Sequence, residues 1–213
     1  MSCRTRMLLP VFIIILPVLN LLAATRYVAE SSATPVPPYS SWGTAATSII
    51  QAVTGAVDGD EIIVSNGLHY AGTDPLYGCC IRLTNAITVR GFSEQENVVV
   101  DGAGSHPCFF ISHPDALVEG LTIQNGWSGG DGGGVMIAAG TLQDCVVVSN
   151  ISWGMGGGVA MYGGLMRDCD VSFNNADSAG GGVYCAAGST VSATRVSGNT
   201  SGTGGGGMYL HFG

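Results

Sequence analysis

From Leu117 onward, apolar and polar positions recur with a period of 24 or 25 residues. The segments LVEGLTIQN, LQDCVVVSN, MRDCDVSFN and VSATRVSGN are four copies of one pattern, L-x-x-C-x-V-x-x-N, in which the C position varies. Aligned, they put Leu117, Leu142, Met166 and Val191 in one column and Gly120, Cys145, Cys169 and Thr194 in the next. Thr122, Val147, Val171 and Val196 form a third column and Asn125, Asn150, Asn174 and Asn199 a fourth, at offsets of 25, 24 and 25. Each copy runs into glycines and an apolar residue, at GGGVMI, GGGVAM, GGGVYC and GGGMYL, with Val135, Val159, Val183 and Met208 in register. A fixed period of this length marks a solenoid, in which each repeat buries its apolar face only against its neighbours.

The first half of each copy also fits a leucine-rich repeat, so the second half decides. There, glycine runs make poor helix and good tight turns, and they lead into alternating residues. Val135 and Ile137, Val159 and Met161, Val183 and Cys185, and Met208 and Leu210 point one way; Met136, Ala160, Tyr184 and Tyr209 point the other. That is strand alternation. The expected fold is all-β, a right-handed parallel β-helix, with each residue stacked about 4.8 Å above its equivalent in the previous coil. The Leu/Met/Val and Thr/Val columns then fill the interior, and the asparagines read as a turn ladder bonded from coil to coil. Asn150 and Asn199 also head glycosylation acceptors, but a ladder side chain is inaccessible.

Upstream, Arg4 and Arg6 precede an apolar stretch from Met7 to Leu22 and then Ala23 and Ala24, the layout of a secretory signal peptide over residues 1–24. Residues 25–43 read as an extended, Pro/Ser-containing lead-in. Residues 44–57 carry Ile49, Ile50, Val53 and Val57 at helical spacing, an amphipathic helix suited to plug the open end of the core. The β-helix is expected over residues 58–213; its last residues lie inside a strand pattern, so further coils or a partner are expected at that end. After leader removal no stretch approaches a membrane span. Composition adds an acidic, sparsely charged surface, net −8 with 10% charged residues, which argues against nucleic acid as partner. Of the seven cysteines, Cys3 leaves with the leader, and Cys145, Cys169 and Cys185 fall in interior columns, as buried packing residues or, for Cys145 and Cys169, a ladder disulfide. Among Cys79, Cys80 and Cys108 one bridge to Cys108 is open.

The run from Trp42 to Tyr70, with A-A-T-x-I-x-x-A-V and G-D-x-I-x-V-x-N-G-x-Y, followed by ITVRGF, VVVDG, LTIQNG and the serial GGGV units, resembles exported bacterial right-handed β-helix proteins of the pectin lyase-like superfamily. The GGGV and S-x-N elements are more loosely similar to the repeats of chlamydial polymorphic outer membrane proteins. The resemblance implies a secreted or bacterial cell-surface (outer-membrane) location, and a superfamily of lyases, hydrolases and adhesins that assigns no single reaction.

Two sets of residues carry candidate chemistry. Glu119, Asp144 and Asp168 form an acidic column ending at Ala193, with Arg167, Asp170 and Arg195 beside it. Stacked carboxylates need solvent, protonation or a cation, so this is either a Ca2+ site centred on Asp144 and Asp168, a carboxylate pair acting on a sugar, or a solvated polar column. Trp127, Trp153, Tyr184 and Tyr209, near the turns of successive coils, form either a sugar-stacking strip or ordinary turn packing. GGDGGG around Asp131 carries a single aspartate, and His106 and His113, each in an S-H-P triplet, with Asp115 nearby, lack a nucleophile. The expected function is an exported scaffold for binding or adhesion to extracellular polysaccharide or cell-surface glycan. The alternatives are a polysaccharide lyase or glycoside hydrolase of the same fold, and a passenger segment of a larger surface protein.

Overall fold

The computed structural model describes residues 23–73, 80–93 and 97–211. Cys3 and Cys79, and all of the expected leader except Ala23 and Ala24, lie outside the described residues. The chain winds as a parallel β-helix of about six turns. In each regular coil a strand of the first sheet, such as Leu165–Arg167, turns into a strand of the second, Asp170–Ser172. A two-residue strand, Asn175–Ala176, makes a corner, and Val183–Ala186 closes the circuit in the third sheet. Every pairing between coils is parallel, as in Leu142↔Met166↔Val191 and Val147↔Val171↔Val196.

Short strands suffice because the central residue of each points inward onto its own equivalents. Val118, Leu142 and Met166 line one wall of the core, Ile123, Val147 and Val171 a second, and Val135, Val159 and Val183 a third, all fully buried. Each such side chain contributes about 1.5–3 kcal/mol of burial. The strands are held to three residues by left-handed corners. Gly120, Asp144, Asp168 and Ala193 turn the first sheet into the second at φ between 46° and 67°. Asn125, Ser149, Phe173 and Gly198 turn the second into the corner strand at φ between 51° and 66°.

These corners correct the alignment at its first step. Leu117 pairs with Thr141 and Val118 with Leu142, an offset of 24 rather than 25. Ile123, not Thr122, therefore stacks under Val147, and Leu121 takes the place of Gly120 beneath Cys145. The offsets of 24 and 25 expected for the later coils hold. One residue decides whether a side chain faces the core or solvent, so the slip moves Asn125 and Glu119 out of the columns in which the sequence placed them.

The head of the solenoid is closed. Within the expected lead-in, Thr25–Val28 is a strand pairing with Glu61–Val64, so coiling starts earlier than residue 58. Its outer edge is covered in turn: Tyr27 N–H donates to Tyr39 O at 2.9 Å, and Ala46 N–H donates to Tyr27 O at 2.8 Å. The helix is shorter than expected, Ile49–Thr54, because Ser48 caps it by accepting from Gln51 N–H. Ile49 and Ala52 plug the core.

A buried ion pair fastens this head. Arg26 Nε donates to Asp60 Oδ2 at 2.8 Å, while Ala24 and Val57 N–H donate to the same carboxylate at 2.8 and 3.1 Å. Burial pushes the Asp60 carboxyl up, but these bonds and the Arg26 charge outweigh it, and the net shift is downward. Asp101 follows the same balance. Burial raises it, and bonds from Gln124, Ala103 N–H and Asn125 bring it below the ordinary value. A carboxylate depressed in the folded state stabilises above its unfolded pKa, ordinarily 3.8, and that contribution is lost as pH falls through the folded value. The melting temperature is accordingly expected to be flat near neutrality and to drop below the ordinary carboxylate range, with a shallower acid limb in Asp60→Asn. Identical acid limbs in the two proteins contradict this.

Cys108, Cys145, Cys169 and Cys185 are free, buried thiols, so neither a ladder disulfide nor a bridge to Cys108 forms. Cys108 Sγ lies against Val100 O and Gln124 O in the interior. Burial pushes all four thiols up, to about 11 for Cys169 and Cys185. Deprotonated thiol is the reactive species. In mass-mapped alkylation of the native chain, Cys108, Cys145 and Cys169 are expected to stay unmodified until denaturant is added; labelling within minutes at pH 8 would contradict the packing.

Candidate functional site

The acidic column does not assemble as aligned. Glu119 stacks on Gln143 and Arg167, and the three are joined side chain to side chain. Gln143 Nε2 donates to Glu119 Oε1 at 3.1 Å, and Arg167 Nη2 donates to Gln143 Oε1 at 2.5 Å. This is an outward polar ladder on the first sheet. Asp144 and Asp168 sit one position further on, at the left-handed corners, where a short polar side chain tolerates φ of 47° and 55° better than most. Gln143 also reaches Asp144 Oδ2 at 3.3 Å, and Glu119 and Asp144 share an open hollow with Arg90. Arg90 is itself engaged by Glu61 at 2.5 Å. Among the described residues no group of three or more His, Cys, Asp or Glu side chains is placed to hold a metal ion.

The asparagine ladder is present from Asn150 onward. Asn150 N–H donates to Asn174 Oδ1 at 2.9 Å, and Asn174 N–H donates to Asn199 Oδ1 at 2.8 Å. Each amide also donates inward, as Asn174 Nδ2 does to Val147 O and Ser172 O. Asn125 is not a rung. Gly126 occupies the equivalent place, its N–H donating to Asn150 Oδ1 at 2.7 Å, while Asn125 forms the preceding corner and donates to Asp101.

The aromatic candidates fare differently. Trp127 and Trp153 meet edge to face across adjacent coils, ring centroids 5.2 Å apart, with Trp153 60% exposed. Tyr184 is packed shut at 4% exposure: its ring lies 5.7 Å from Tyr162 and 6.1 Å from Tyr209, stacked on the latter at 9°. Burial pushes its hydroxyl up. Tyr184 therefore offers no platform, whereas Tyr209 is exposed on the last coil.

Beside Trp127 the outer surface of the third sheet sinks into a cleft of about 480 Å³. Its floor is one stacked column, Arg82, Phe110 and Met136. The Arg82 guanidinium lies over the Phe110 ring at 4.3 Å, a cation–π contact. Trp127 forms one wall, and His106, Ser128 and Asp131 supply polar groups at the rim. The GGDGGG turn shapes that rim. Asp131 Oδ1 accepts from Met155 N–H at 2.7 Å, and its Oδ2 accepts from the Tyr162 hydroxyl, so the carboxylate ties its own coil to the next. Ser128 Oγ donates to Asp131 O at 3.0 Å and accepts from Gly130 N–H. Burial and the Asp131 carboxylate push the Tyr162 hydroxyl well up, keeping it a donor.

Sequence reading placed Trp127, Met136, His106 and Asp131 individually but not together, and it missed Arg82 and Phe110. The available signal was strand register. Ile81 pairs with Phe109 and Phe109 with Val135, at spacings of 28 and 26 residues, and these longer coils hide the column from a search at 24 or 25.

No family model, no curated protein and no solved structure matches this chain. Among the described residues no helix is long and apolar enough to cross a membrane.

Proposed function

We propose that this chain is an exported β-helix scaffold, secreted or displayed at the cell surface, whose cleft at Trp127 binds carbohydrate. The observation that carries the reading is the composition of that cleft: an aromatic and apolar floor and wall, Phe110, Met136 and Trp127, beneath a polar rim of His106, Ser128 and Asp131. A sugar ring presents an apolar C–H face for stacking and a girdle of hydroxyls for hydrogen bonds, which is the complement of such a site. Trp153, edge to face with Trp127 on the next coil, adds a second, exposed aromatic ring beside the cleft. A saccharide chain lying along that axis meets one coil after another, and binding by an array of weak stacking contacts suits a repeat scaffold. Among the described residues the cleft is lined by one carboxylate, Asp131, which is already engaged by Met155 N–H and the Tyr162 hydroxyl, and the reading is one of binding.

The test is titration of the chain with neutral and acidic oligosaccharides, followed by tryptophan fluorescence. Saturable change is expected, and its loss in Trp127→Ala and Trp153→Ala assigns it to the cleft rather than to Trp42, which is itself exposed beside Tyr27 and Phe92 at the head. One aromatic contact contributes about 0.5–1.5 kcal/mol, so Trp127→Ala is expected to weaken binding by about 2- to 12-fold. Equal affinity of Trp127→Ala and the parent chain would remove the cleft as the site.

A further inference from the structure

We propose that Tyr162, tied to Asp131, is an end wall of the cleft and makes it a site for the terminus of a glycan chain, whose remaining units continue away from Tyr162. The inference rests on the saccharide reading and adds which part of a saccharide is held.

The outward column of the third sheet runs Arg82, Phe110, Met136, Ala160, Tyr184 and Tyr209, one residue per coil. By strand alternation alone this is one continuous outer row. Exposure divides it. Phe110 and Met136 are half-buried and line the cleft, Ala160 is sealed at 0% and Tyr184 at 4%, and Tyr209 is exposed again.

Two features roof Ala160. The turn before its strand folds back onto it: Gly156 has φ of 68°, and a Cβ there would stand 2.8 Å from Ala160 Cα. Tyr162 covers the rest. Its backbone lies just past the end of Val159–Met161, whereas its hydroxyl donates to Asp131 Oδ2 in the turn that leads into the preceding coil's strand, so the ring crosses the outer face of the sheet. It packs 5.7 Å from the Tyr184 ring. Ala160 is the one small side chain of the column, and its size leaves room for the crossing.

The wall is fixed. Asp131, on the rim of the cleft, is held from the next coil at both oxygens, by Met155 N–H at 2.7 Å and by the Tyr162 hydroxyl. A sugar stacked on Phe110 and Met136 therefore meets a blind end: one more unit toward the tail would need the space of the Tyr162 ring. The volume of about 480 Å³ is that of a small-ligand site, which suits a chain terminus and not a segment running through. A fixed wall rejects a ligand of the right chemistry and the wrong extent.

The probes are cello- and malto-oligosaccharides and their counterparts oxidised to uronates, each uncapped, with a bulky aglycone at the reducing end, or with a bulky acetal at the non-reducing end. They are titrated with the parent chain, Tyr162→Ala and Tyr162→Phe, followed by tryptophan fluorescence. In the parent, one of the two caps is expected to weaken binding at least about 10-fold and the other to leave it within about 3-fold of the uncapped chain, because only one end meets the wall. Tyr162→Ala is expected to accept the rejected cap, within about 3-fold of the uncapped chain, whereas Tyr162→Phe, which keeps the ring, still rejects it. Tyr162 is 39% exposed and outside the core, and a gain of binding is not the product of a damaged fold. Equal affinity of the parent for the two capped forms, whether high or low, overturns the end wall and leaves the saccharide reading standing; so does rejection of the cap by a Tyr162→Ala chain that still binds the uncapped form. Failure of every uncapped chain to bind the parent overturns both.

Discussion

Asn174→Ala is expected to destabilise the chain by about 4 kcal/mol, a large share of the roughly 5–15 kcal/mol that holds a typical domain together. The side chain is 1% exposed and serves both neighbouring coils. Its amide nitrogen donates to Val147 O at 2.9 Å, Ser172 O at 3.0 Å and Asn199 Oδ1 at 3.0 Å, and its oxygen accepts from Asn150 N–H and Asn150 Nδ2 at 2.9 Å. Alanine leaves the buried Asn150 N–H without its acceptor and takes a donor from Val147 O and from Ser172 O, which keeps only Ser149 N–H; a buried group left unpaired costs about 1–3 kcal/mol. The comparison that gives this meaning is Asn125→Gly. Asn125 lies outside the ladder, its φ of 51° suits glycine, and its side chain serves only Asp101, so a loss of about 1 kcal/mol is expected. Urea unfolding of both variants checks the register directly, since the uncorrected alignment makes the two asparagines equivalent. Equal losses would favour that alignment.

Gly157→Ala is expected to cost more still, beyond about 4 kcal/mol, and to leave most of the chain unfolded. Its Cβ would stand 2.3 Å from Asn175 O and 2.4 Å from Gly181 O. Both are backbone atoms of the next coil, which cannot yield without lengthening the parallel hydrogen bonds between coils. In the last coil the same substitution at the equivalent glycine, Gly206→Ala, meets its nearest atom at 3.1 Å and is expected to cost under about 1 kcal/mol. Soluble yield and circular dichroism of the two proteins test the contrast, and a folded Gly157→Ala with parent-like stability would mean the coils are not stacked as described.

The solenoid was legible because stacking imposes like on like. Leu142 and Met166, Val147 and Val171, and Val159 and Val183 are in register in the sequence as in the structure. The slip at the first repeat arose where the pattern is least informative. Asn125 mimics a rung by residue type, but left-handed corners also favour asparagine, and sequence alone does not separate the two causes. Glu119 was drawn into the column of Asp144 and Asp168 by the same slip; those two remain equivalent on successive coils, at left-handed corners that Gly120 and Ala193 share. The cleft was illegible because its floor crosses coils of unequal length, and because Arg82 and Phe110 become neighbours of Met136 only through strand pairing. Tyr184 showed the converse. Alternation sent it outward as expected, but packing by Tyr162, Tyr209 and His211 covers it.

The most direct measurement is a side-by-side binding panel. The parent chain, the pair Trp127→Ala and Trp153→Ala combined, and the pair Asp144→Ala and Asp168→Ala combined are each titrated with the same neutral and acidic polysaccharides, with and without Ca2+, while new reducing ends and ultraviolet-absorbing unsaturated products are followed. The cleft account predicts retention of polysaccharide without cleavage, weakened at least about 10-fold in the tryptophan pair and unchanged in the aspartate pair. Product formation that depends on Asp144 and Asp168, or binding indifferent to both tryptophans, would contradict it and return the function to the acidic corner.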